Sequence, residues 1–81
     1  MAGDRETYQK SMNLGHNAAW EQNWVGAIKA YSHAIQEIPE DGEAHIHLGL
    51  ALLKAGRLED ALKVYNRAHQ LSPDDPTPLE L

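Results

Sequence analysis

The histidines are the residues of this sequence best suited to chemistry. They stand at His16, His33, His45, His47 and His69. Imidazole is a general base near neutral pH and a common metal ligand. Glu43 and His47 lie four residues apart, which on a helix places both on one face. With Asn13 or His16 beside them on a neighbouring helix, they would offer a weak divalent-metal site. No group of residues reproduces a closed ligand set, so no metal is assigned. His45 and His47 are two apart and diverge on a helix. The simpler reading is solvated histidines on a polar face. Nucleophilic catalysis finds no support either. Cysteine is absent, and Ser11, Ser32 and Ser72 lack a histidine–carboxylate arrangement. Gly3, Gly15, Gly26, Gly42, Gly49 and Gly56 are dispersed, with no phosphate-cradling loop. The sequence therefore assigns no catalytic residue and no cofactor.

Composition removes further classes. The formal net charge is -5, and the basic residues are scattered from Arg5 to Arg67. Nucleic-acid binding needs clustered Lys and Arg, so it is not expected. Met1 to Glu6 carries charges with no apolar run behind them, unlike a signal peptide. The longest apolar stretch, Leu48–Leu53, is far too short to span a bilayer. The expectation is a soluble, cytoplasmic protein with no membrane role. The lack of cysteine fits a reducing compartment.

The elements that would position these groups come in two copies. Leu14 and Gly15 recur as Leu48 and Gly49, Ala27 as Ala61, Tyr31 as Tyr65, Ala34 as Ala68 and Pro39 as Pro73. Every pair is 34 residues apart. Chance matches would scatter over many offsets; these share one, and they fall on small, aromatic and chain-breaking residues. Each copy contains two helical patterns. Asp4 suits the cap of a first helix over about residues 6–22, and Asn23 the cap of a second running to about Ile38. Trp24, Ala27, Ile28, Tyr31, Ala34, Ile35 and Ile38 follow three- and four-residue spacing. Pro39–Gly42 breaks the chain, a third helix starts near Glu43, and Gly56 closes it as a left-handed cap. A fourth helix carries Leu58, Ala61, Leu62, Tyr65, Ala68 and Leu71 before Ser72–Pro76 ends it. Gly15 and Gly49 would permit close helix approach, facing Ala27 and Ala61. Tyr31 and Tyr65 would fill the wider gap where the crossing helices diverge.

These residues resemble the tetratricopeptide repeat family. Its pattern is W-x2-L-G-x2-Y, then A-x3-F, then P, with a period of about 34 residues. Leu14, Gly15, Ala27, Tyr31, Ala34 and Pro39 match it once, and Leu48, Gly49, Ala61, Tyr65, Ala68 and Pro73 match it again. Ser11 and His45 fill the usual Trp slot, and Ala18 and Leu52 the usual Tyr slot. The resemblance implies an all-α solenoid of two antiparallel helix-turn-helix hairpins with right-handed superhelical stacking. It divides the chain into a lead over residues 1–7, repeats over 8–41 and 42–75, and a tail over 76–81 that reads as the opening of a third repeat.

The resemblance also implies a function. First helices of such repeats line a concave groove. Here they would present Gln9, Met12, Asn13, His16, Ala19 and Trp20, then Glu43, Ile46, His47, Leu50, Leu53 and Lys54. A mixed apolar and polar face of this kind suits an extended or helical peptide, with Trp20 and Met12 as anchors. The plainer alternative is that Trp20 and Leu53 pack between hairpins. Some members clamp the carboxylate tails of heat-shock chaperones with Lys and Asn. Met12, His16 and Leu50 occupy the matching places, so that ligand is not expected. Two repeats leave an end uncovered, since roughly three are usual for stability. Leu62, Tyr65, His69 and Leu71, with Leu48 and Leu52 beneath, would form an apolar face for self-association, helix exchange between copies, or further repeats.

Overall fold

A computed structural model describes residues 4–71 as four helices. They are α1 (Arg5–Trp20), α2 (Trp24–Glu37), α3 (Gly42–Lys54) and α4 (Leu58–Leu71). The two hairpins are α1–α2 and α3–α4, and α2 packs on α3 to join them. Expectations placed on Ser72–Pro76, including Pro73, and on residues 76–81 lie outside the described residues.

Local chemistry sets the helix ends. The Asp4 carboxylate accepts from the Glu6 N–H at 3.0 Å, and Asn23 Oδ1 accepts from the Gly26 N–H at 3.1 Å. Each side chain satisfies one of the N–H groups that a first helical turn leaves without a partner. Asp41 does the same for α3, accepting from the Glu43 N–H at 2.9 Å, so this helix starts one residue ahead of Glu43. Gly56 has φ +84°, as a left-handed cap requires. Its N–H donates to Leu53 O at 3.0 Å and that of Arg57 to Leu52 O at 2.8 Å, a paired closure of the helix end. The first helix stops at Trp20 rather than Gln22 for the same reason. Gln22 itself takes φ +62°, and Gln22 and Asn23 donate to Ala19 O and Ala18 O at 3.0 and 2.8 Å.

The core is built largely from alanine, tyrosine and leucine: Ala27, Ala34, Ala44, Ala51 and Ala61 with Tyr8, Tyr31, Tyr65, Leu48 and Leu52. Alanine allows near approach of helix backbones, and the tyrosines fill what remains. Their position corrects the sequence expectation. Tyr31 and Tyr65 do not fill a gap away from the glycines; they lie directly over them. A Cβ on Gly15 would stand 2.6 Å from Tyr31 Cδ1, and one on Gly49 would stand 2.9 Å from Tyr65 Cδ1. Each glycine is thus the floor on which a tyrosine ring rests. Tyr65 is accordingly a core residue, as are Leu48 and Leu52, and none of the three lies on an open end face. Of that expected face, Leu62 is exposed, while His69 and Leu71 are half-buried.

Candidate functional site

The first helices of the two hairpins present matching stripes. On α1 the stripe comprises the exposed residues Gln9, Asn13, His16 and Trp20; their counterparts on α3 are exposed Glu43, Leu50 and Lys54 and half-buried His47. Three- and four-residue spacing puts each set on one helical face. Gln9 Nε2 donates to Asn13 Oδ1 at 3.3 Å, which fixes two of the polar side chains. Glu43 and Lys54 lie at the N- and C-terminal ends of α3, the ends that favour their respective charges.

Trp20 and Met12, paired as anchors on sequence grounds, part company here. Trp20 is 89% exposed at the last position of α1 and packs between no hairpins. Met12 is buried in the core and offers no surface to a ligand. Ala19 and Leu53 likewise pack against the core, and Ile46 is half-buried. Leu50, 44% exposed, is the second apolar group of the stripe.

Between the stripes lies a contact that the sequence only partly indicated. The His16 and His47 rings meet edge to face with centroids 4.7 Å apart, joining α1 to α3. Tyr31, from α2, completes the cluster. Its hydroxyl is 2.8 Å from His16 Nδ1, and its ring stacks on His47 at 5.5 Å. Glu43 Oε1 stands 3.9 Å from His47 Nε2. Burial pushes the Tyr31 phenol up, so it stays neutral near physiological pH. Burial also holds His47 below its ordinary value, helped by the neighbouring His16 and opposed by Glu43. The sequence marks Tyr31 as a packing residue alone. The available signal was its 34-residue comparison: where Tyr65 faces a repeat with Leu50, Tyr31 faces one with His16.

Among the described residues no three His, Cys, Asp or Glu side chains converge as a metal site. Nor is any described helix long and apolar enough to cross a membrane.

A family model, the tetratricopeptide repeat, matches residues 13–76. This chain belongs to the tetratricopeptide repeat family. Tetratricopeptide repeats are, in general, protein–protein interaction scaffolds and typically non-enzymatic. The curated relatives include Superkiller protein 3 of Schizosaccharomyces pombe, 41% identical over 54 residues. That match covers 67% of this chain but only 4% of the relative's length. The glycine–tyrosine seats described above are the physical content of the tetratricopeptide signature in this chain.

Proposed function

We propose that the paired stripes of α1 and α3 capture a peptide or partner helix, with repeats taken as residues 8–41 and 42–75. The supporting observation is Trp20, a large aromatic side chain left 89% exposed one helical turn beyond His16 on the stripe of α1. An indole in water sacrifices the burial that makes it favourable, so covering it with a partner's apolar side chain would stabilise a complex. Gln9, Asn13, Glu43 and Lys54 would hydrogen-bond the partner's polar groups and set its register. Met12 has no part in this reading, and Ile46 only a minor one. The test is a peptide-array screen followed by titration of the best binder. Trp20→Ala should weaken it at least tenfold, a loss of about 1.4 kcal/mol, with the helical circular dichroism unchanged. Equal binding by Trp20→Ala would remove the groove from consideration.

A second reading has end-to-end association as the role. Leu14 and Leu62, 63% and 47% exposed at opposite ends, favour it. Against it, half-buried His69 stands at the place in the second repeat that Ile35 holds in the first, which puts a polar ring near that end. A mass in solution that rises with concentration would shift the weight to this reading.

A further inference from the structure

We propose that His16, Tyr31 and His47 form a proton-sensitive seam between the two repeats, one that loosens on acidification. The inference stands on geometry and holds whether or not the groove takes a peptide. Three rings from three helices meet at one point: α1 gives His16, α2 gives Tyr31 and α3 gives His47. The direct approach of α1 to α3 is slight compared with that of α2 to α3. This cluster is therefore a substantial part of what ties the two first helices together.

Its three members respond differently to a proton. His16 is exposed, and its Nδ1 faces the Tyr31 hydroxyl at 2.8 Å. A hydroxyl both donates and accepts, so Tyr31 can donate to neutral His16 and accept from its protonated form. One proton on His16 leaves that hydrogen bond intact. His47 has no such accommodation. It is half-buried between His16 and the Tyr31 ring, and its charged form would lose water and face a second imidazolium at ring contact. The charged groups acting on it are His16 from α1 and Glu43 from its own helix; α2 supplies neutral Tyr31, and α4 supplies none among the described residues. Glu43 is exposed and 3.9 Å away, so solvent weakens its compensation.

The direction of the pH effect follows. His47 in the folded chain titrates below the ordinary value of 6.5 that it has when unfolded. Between those two values the unfolded chain binds more protons, so stability rises with pH there. The contribution is complete above pH 6.5 and is lost as pH falls through the depressed value of His47.

Proton NMR titration of the imidazole Hε1 signals in the full 81-residue chain tests this directly. His47 is expected to titrate below 6.5, and to move upward in His16→Gln. Thermal melts across the same range give an independent readout. The melting temperature should fall with acidification in the wild type, and less steeply in His47→Gln. Tyr31→Phe, which keeps the ring but loses the hydroxyl, should change the His16 signal and retain the fold. A His47 that titrates at or above 6.5, or identically with and without His16, would overturn the proposal. So would a pH dependence of melting unchanged by His47→Gln. Loss of peptide binding in Trp20→Ala bears on the groove alone, so the two readings fail separately.

Discussion

Leu14 and Leu48 hold the same place in successive repeats, yet the first is 63% exposed and the second 9%. Both hairpins carry the same small-residue contacts and the same glycine–tyrosine seat. The difference is that α2 covers the second hairpin where α3 meets it, whereas no described element covers Leu14. A signature residue is thus defined by the repeat and buried by its neighbour. The hairpins differ in their joints as well. Where Gly56 turns the second hairpin without strain, Gln22 makes the same turn at positive φ with a side chain attached. Where Asn23 caps α2, Arg57 at the matching place instead reaches Asp60, at 2.6 and 3.0 Å. The first hairpin has the better cap at its second helix and the worse turn before it.

The largest effect that would break this comparison lies at the glycines. Gly15→Leu should abolish cooperative melting of the first hairpin, because the side chain would occupy the place of the Tyr31 ring. Alanine is the finer probe. Overpacking costs about 1–3 kcal/mol, while replacing a helical glycine by alanine returns about 1 kcal/mol of helix propensity. The tighter overlap at Gly15 predicts a clear loss for Gly15→Ala and a smaller one for Gly49→Ala, both read from denaturant midpoints. A ranking in the opposite order would mean the two seats are not built alike.

Next come the paired leucines. Leu48→Ala should cost about 2–5 kcal/mol, as cavity-forming core substitutions do. Leu14→Ala should stay within about 0.5 kcal/mol, as at other surface positions. Urea unfolding of both variants measures the gap directly, and equal losses would mean that Leu14 is covered in solution. The smallest effect is at the turns. Gln22→Gly should stabilise by about 0.5–1 kcal/mol by relieving the left-handed backbone, and Gly56→Ala should destabilise by about 1 kcal/mol. The opposite signs of the two shifts in melting temperature are the signature to look for.

Much of this fold was legible in the sequence because its determinants are local. The common offset located the repeats, Asp4 and Asn23 marked the starts of their helices, and Gly56 its turn. The turn at Gln22 was not legible because a glutamine at positive φ has no compositional mark; its 34-residue offset from Gly56 is the one signal that points to it. The site was less legible, for a physical reason. Met12 and Trp20 are both large apolar residues with equivalent claims to one face of a helix. Which is covered depends on how α1 seats on its neighbours, and that is set by packing. The repeat geometry set Asn13 or His16 beside His47, but the part of Tyr31 required knowing that its ring crosses Gly15 to meet both histidines.

The order of packing described above, α1 on α2, α2 on α3 and α3 on α4, also bears on how the chain is made. The principal contacts of each helix are with helices next to it in sequence. Little loop entropy must therefore be spent before a contact forms, and such topologies fold quickly. During synthesis, α1 and α2 can pair while α3 is still being added, and α3 then packs on an α2 already in place. Assembly can advance from the amino terminus one helix at a time, each using the last as its template.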